Sequence, residues 1–167
     1  MLGRREESVS LFGRALERNP SFALAHWGLG RGLSVWGRAR EAVEHFRRAL
    51  RLSPRDPALA HFHEGLGFAH YFLGEYDVAA AQAERSVQIQ PDWPRSHLLL
   101  AAAAAMADDA RRARAAMSHF EDLDPAHDLE RLRKSYALAR AEPGVVESLI
   151  EGIERARAIA GRVRAAS

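Results

Sequence analysis

Histidine is the side chain with most chemistry to offer here: the sequence holds eight of them and no cysteine. His61, His63 and His70 share one predicted helix. His63-Glu64 opens like the zinc-protease signature, in which a second histidine follows the first by four residues on the same helix face. That place holds Gly67. His63 and His70 stand two turns apart, about 10.5 Å along the axis, too far to share an ion bound at about 2 Å. Gly28, Gly30 and Gly32 imitate a dinucleotide-binding loop, but that fingerprint follows a strand and needs glycine where Leu33 stands. Without cysteine there is no disulfide framework, thiolate zinc site, thiol nucleophile or thiol redox chemistry. Spacing alone places no Ser-His-Asp arrangement and no carboxylate pair, so the expectation is a chain with no catalytic residues, metal or cofactor.

The histidines instead reveal a period. His26, His63 and His97 occupy one recurring position, and Pro20, Pro54, Pro91 and Pro125 close successive segments at separations of 34, 37 and 34 residues. Between them the pattern His26-x2-Leu29-Gly30-x2-Leu33, Gly37, Ala42-x3-Phe46, Ala49 returns as His63-x2-Leu66-Gly67-x2-His70, Gly74, Ala79-x3-Ala83, Ser86. A third copy reads His97-x2-Leu100-Ala101-x2-Ala104, Asp108, Ala113-x3-Met117. A period near 34 residues is one helix pair per unit. The recurring histidines read as half-buried packing residues, with a pH-sensing ladder as the alternative.

The elements that must carry this pattern are helices over residues 4–18, 22–35, 38–52, 58–72, 75–89, 94–107 and 109–123, antiparallel and joined by short turns. Gly30, Gly67 and Ala101, facing Ala42, Ala79 and Ala113, keep large side chains away from the helix crossings. Gly37 and Gly74 stand where a helix ends in a left-handed residue. Residues 1–20, with Gly3, Ser8, Phe12, Ala15 and Pro20, supply only the second half of a unit, which suggests an excerpt of a longer polypeptide or a face covered by something else. The division is therefore repeats over 1–125 (a half unit 1–20, then 21–54, 55–91 and 92–125) and closing helices over 126–167. Asp128 to Ala141 and Gly144 to Val163 are helical, the latter with a stripe of Val146, Leu149, Ile150, Ile153, Ala156, Ile159, Ala160 and Val163 suited to capping the stack.

Composition fits one globular unit: 167 residues, 47% apolar and 28% charged, with a net charge of +2. That charge is too small to demand a polyanionic partner, and it concentrates in the tail, where Arg155, Arg157, Arg162 and Arg164 face only Glu154. The start offers no secretory signal, and no stretch reaches the length of a membrane span, so a cytoplasmic location is expected.

Stacked helix pairs curve, and the first helix of each pair lines the hollow side. Counting from the core positions places Trp27, Arg31, Glu64, Phe68, Tyr71, Phe72, Arg95 and Leu98 there, an apolar groove with aromatic anchors and a few charges. Such a surface suits an amphipathic helix or an apolar peptide. Two other occupants remain open: the 144–163 helix folding back into the hollow, and a second copy of the chain. A nucleic-acid-binding module using the arginines and the basic tail is the alternative from another class.

These motifs resemble tetratricopeptide repeat proteins over residues 3–125. The resemblance implies an all-α, right-handed α-solenoid of about three and a half repeats with capping helices, and a non-catalytic scaffold that binds a protein, a peptide or a neighbouring domain. More narrowly, Leu52-Ser53-Pro54-Arg55-Asp56-Pro57, Gly74-Glu75-Tyr76 and Pro91-Asp92-Trp93-Pro94 resemble the C-terminal repeat regions of bacterial class III adenylate cyclases and winged-helix regulators, which implies a regulatory module beside an N-terminal effector. The carboxylate clamp that chaperone adaptors of this family build from lysine, asparagine and arginine falls here on Trp27, Arg31, Gly65, Arg95 and Leu99, where only the two arginines suit a carboxylate.

Overall fold

The computed structural model describes the backbone of residues 4–164 and the side chains of residues 9–161. Gly3 and Ser8 of the half unit, Val163 of the apolar stripe, and Arg162 and Arg164 of the basic tail lie outside the residues whose side chains are described. Nine helices follow one another among the described residues: α1 (Arg4–Arg18), α2 (Ala23–Val35), α3 (Ala39–Leu52), α4 (Leu59–Phe72), α5 (Tyr76–Ile89), α6 (Pro94–Met106), α7 (Ala110–Leu123), α8 (Leu129–Leu138) and α9 (Pro143–Arg164). The first seven match the sequence expectation to within about a residue at each end.

Two kinds of helix alternate, and their sequences show why. In α3, Ala39, Ala42, Val43, Phe46 and Ala49 make one buried stripe at three- and four-residue steps, while Arg40, Glu41, Glu44, Arg47, Arg48 and Arg51 face water. Helices α4 and α6 are instead sandwiched between neighbours and buried around most of their circumference, so α6 tolerates an unbroken Ala101–Ala105 run with every residue at 0% exposure. The stack is an α-solenoid.

Each pair turns on the same device. The N–H of Arg38 donates to Leu33 O, that of Glu75 to His70 O and that of Asp109 to Ala104 O, each across a residue with positive φ: Gly37 at 76°, Gly74 at 77° and Asp108 at 62°. The sequence motif stops at Pro125, but the turn recurs once more. Arg140 has φ 50° and the N–H of Ala141 donates to Tyr136 O, so α8 and α9 are joined like the pairs before them. They do not pack as a pair. α8 runs from the end of α7 towards the end of α2, where the N–H of Glu142 donates to Val35 O at 2.8 Å.

Successive units interlock by size. A Cβ on Gly28 would lie 2.3 Å from the Phe12 ring, and one on Gly65 would lie 2.3 Å from the Phe46 ring, so each glycine is the socket for a phenylalanine of the preceding helix. At the equivalent places of the next interface stand Ala83 and Leu99, large and small exchanged, both at 0% exposure.

The expected capping helix is α9. It lies against α6 and α7 and reaches α4, burying Val145, Leu149, Ile150, Ile153 and Ala156. Val145 takes the place that the periodicity gave to Val146, which is only half-buried. The recurring histidines are packing residues, two of them tied to the proline that closes the preceding unit and one held within its own unit. His26 Nε2 and His97 Nε2 donate to the carbonyls of Pro20 and Pro91 at 3.0 and 2.8 Å, while His63 Nδ1 pairs with Gln82 Oε1 at 2.9 Å.

Candidate protein-binding groove

The hollow side is walled by α2, α4 and the start of α6, with α8 along its rim. It encloses a cavity of about 530 Å³ whose lining includes Trp27, Arg31, His61, Phe68, Phe72 and Tyr136. All three tryptophans of the chain, Trp27, Trp36 and Trp93, face this one cavity.

Their indole N–H groups are spent on holding the walls. Trp27 Nε1 donates to the backbone oxygen of His61 at 3.0 Å, bridging α2 to α4. Trp36 Nε1 donates to Ala139 O at 3.4 Å, tying α2 to the end of α8. Trp93 Nε1 donates to Glu64 Oε2 at 2.8 Å. With their hydrogen bonds satisfied, the rings offer faces and edges to whatever enters.

Glu64 is the polar centre of the floor. It is 7% exposed, and Arg95 Nε donates to its Oε1 at 2.7 Å while His61 Nδ1 lies 3.7 Å from its Oε2. Burial by itself would raise the Glu64 carboxyl, but the Arg95 charge and the donors of His61, Arg95 and Trp93 outweigh it and bring the pKa down to about 2. Arg95 is thereby committed on two sides: it pairs with Glu64, and its guanidinium lies 4.9 Å from the Phe68 ring centroid. Arg31 repeats the stacking on α2, 5.0 Å over Trp27.

Of the residues that counting placed on the groove, Trp27, Arg31, Glu64, Phe68, Phe72 and Arg95 do line the cavity. Tyr71 and Leu98 do not. Tyr71 is at 0% exposure with its hydroxyl donating to Ser148 O at 2.8 Å, and Leu98 is 4% exposed; both belong to the core that α9 closes. The count went astray because α4 and α6 are buried on almost every side, so apolar periodicity cannot tell hollow from core. Trp36, Trp93 and Tyr136 were missed. Trp36 and Trp93 stand just outside helices and Tyr136 beyond the repeats, where the period gives no register. The one available signal was the chain's scarce tryptophan.

Elsewhere the candidate chemistry disperses. His61 faces Glu64, His63 faces Gln82 and His70 Nδ1 pairs with Glu75, so the three histidines of α4 address three different partners. Among the described residues no three histidine, aspartate or glutamate side chains gather as a metal site would require. Arg155 pairs with Asp108, and Arg112 with Glu84, which leaves the nucleic-acid reading without support. No helix among the described residues is long and apolar enough to cross a membrane.

Solved structures share the architecture. The chain is similar to MamA (TM-score 0.64, 17% identity, covering 93% of this chain and 88% of that one). It is also similar to YrrB, described as a TPR protein with an unusual peptide-binding site (TM-score 0.61, 20% identity, covering 96% and 84%). A third likeness is to PilW, a type IV pilus biogenesis factor (TM-score 0.65, 20% identity, covering 92% and 66%). In sequence, 92 residues are 34% identical to the Hsp70-Hsp90 organizing protein of Triticum aestivum, a match that takes in 55% of this chain but only 15% of that protein's length. The family described as Tetratricopeptide repeat matches residues 2–57 and 36–94, together more than half of the sequence. With the 34-residue period, the repeated turn and the size-matched crossings, this places the chain in the tetratricopeptide repeat family.

Proposed function

We propose that the chain is a non-catalytic binding module that holds a peptide or helix of another protein, or of a neighbouring domain, in the hollow formed by α2, α4 and α6. The observation that carries this reading is the convergence of all three tryptophans, with Phe68, Phe72 and two stacked arginines, on one open cavity. Aromatic and arginine side chains dominate the binding energy of protein interfaces. In this reading residues 1–125 form the binding body and 126–167 its closure, in a cytoplasmic, regulatory setting. The likeness of the lengthened loop at Pro54–Pro57 to repeat regions that follow a bacterial effector supports a partner within the same polypeptide.

The organizing-protein likeness does not extend to a carboxylate clamp. Arg95 is committed to Glu64, Gly65 is filled by Phe46, and Leu99 is at 0% exposure.

The test uses peptides selected on the immobilised chain from a random display library. They are expected to shift tryptophan emission on binding, and Phe72→Asp or Trp27→Ala should weaken them at least about tenfold with the circular dichroism unchanged. Selected peptides that bind both variants as tightly as the wild type place the site elsewhere.

A further inference from the structure

Two histidines on neighbouring helices meet nitrogen to nitrogen. His26 of α2 and His45 of α3 bring their Nδ1 atoms to 3.0 Å, with ring centroids 5.2 Å apart. His26 is 8% exposed, and its Nε2 lies 3.0 Å from Pro20 O. A carbonyl only accepts, so Nε2 carries the proton and Nδ1 of the neutral ring keeps a lone pair towards His45. A histidine anchored in this way, one nitrogen on a backbone carbonyl, is oriented as a metal ligand is. His45 is half-buried. Burial and the His26 ring hold its imidazole below the ordinary 6.5, against the pull of Glu41 and Glu44, so near neutral pH it too offers a lone pair rather than a charge.

The repeat supplies its own comparison. At the place of His45 the second unit has Gln82, whose Oε1 lies 2.9 Å from His63 Nδ1, and the third has Ala116. In that third unit His119 comes from one turn later. Its ring stands edge-on to His97 at 5.6 Å between centroids, and His97 Nδ1 is buried without a hydrogen-bond partner. All three units keep the histidine of the first helix, but among the described residues only the first sets a second ring nitrogen against it.

Distance decides which chemistry the pair suits. Bonds of about 2.0–2.1 Å to imidazole nitrogen put two ligands about 2.9 Å apart at a right angle and about 3.3 Å apart at a tetrahedral one. The observed 3.0 Å is closer to the right angle of tetragonal Cu(II) and Ni(II) sites with nitrogen and oxygen ligands. Among the described residues no third histidine, aspartate or glutamate gathers beside the pair, so water completes the coordination. We propose that His26 and His45 form a two-histidine clip for a divalent copper or nickel ion, bridging α2 and α3. On binding, the proton between the two Nδ1 atoms moves to His45 Nε2, both rings coordinate through Nδ1 as neutral ligands, and no proton is released. A hard cation such as Mg2+ finds no oxygen ligand in the pair. An ion held by the folded chain and not by the unfolded one adds to its stability, so the clip rivets the first complete helix pair beside the Trp27 wall.

The full chain and its His45→Gln and His119→Gln variants are titrated with Cu2+ in a non-coordinating buffer, following thermal unfolding and the electron paramagnetic resonance of the bound ion. His45→Gln gives the first unit the histidine–glutamine pair that the second already has, so circular dichroism should show the helices kept. The wild type should bind its tightest Cu2+ through two imidazoles, counted by pulsed resonance, and unfold at a higher temperature, with Mg2+ doing neither. His45→Gln should weaken binding at least about tenfold and leave one imidazole, while His119→Gln changes nothing. No saturable binding, fewer than two imidazoles in the wild type, or an equal loss in both variants overturns the clip. Equal binding by wild type and His45→Gln also overturns it and shows an adventitious ion only. The imidazole count in the wild type decides the matter even where a variant fails to fold.

Discussion

Glu64 shows what a single buried carboxylate does for this molecule. Its two oxygens accept from Trp93 and Arg95, residues 29 and 31 positions further along the chain, so one side chain fixes the start of α6 against α4. Glu64→Gln keeps the shape but removes the charge that Arg95 faces, and should cost about 1–3 kcal/mol at neutral pH in urea denaturation. The figure sits below that of a fully buried pair because Arg95 is 42% exposed. The pH dependence has a definite sign. With the carboxyl at about 2 when folded against an ordinary 4.5, the unfolded chain binds the proton first as pH falls, so this stability is complete above 4.5 and lost towards 2. Glu64→Gln should flatten that acid limb. At milder acidity, burial holds His45, His63 and His127 below their ordinary 6.5, so the wild type should already weaken as pH falls through 6.5. The sequence offered Glu64, Arg31 and Arg95 as polar fixtures of the groove. It gave no sign that two of them pair, because partners some 30 residues apart in the chain are joined only by the stacking of units.

Between helices, register is enforced by volume. Gly65 has no room for a methyl group, since Phe46 already fills the space, and Gly65→Ala should destabilise by about 1–3 kcal/mol through overpacking. Phe46→Leu alone should also destabilise, by opening a gap. Combined, the two should fall short of additivity by at least about 0.5 kcal/mol, measured in a double-mutant cycle by thermal or urea unfolding. Strict additivity would mean that the two do not share a site. Periodicity named Gly30, Gly67 and Ala101 as the places of close approach, and Gly67 does meet Leu99 and the backbone of Ala79. In α2, Phe12 and Val9 of α1 press on Gly28 and Gly32 in the same way. A period reports which positions recur, but whether a glycine is slack or a socket depends on the side chain that the neighbouring helix brings to it.

At the scale of the molecule, α9 decides where the groove ends. Gly152 lets it lie on Tyr71, whose hydroxyl would be 2.0 Å from an added Cβ, with Ala102 close behind. Gly152→Ala should therefore loosen α9 and lower stability by about 1–3 kcal/mol, and adding Tyr71→Phe, which removes the obstructing oxygen, should recover part of that loss in thermal unfolding. No recovery would show that α9 is held by other contacts. The sequence by itself determined the helices, their pairing, the turn residues and the repeat, because these depend on neighbours a few residues away and on a pattern copied every unit. Tertiary structure alone decided which aromatic side chains face the hollow and which lie under α9, that the tryptophans converge, and that α8 lies along the rim of the groove. Those outcomes depend on how two non-repeating helices meet the stack, and once the period ends no local rule fixes that meeting.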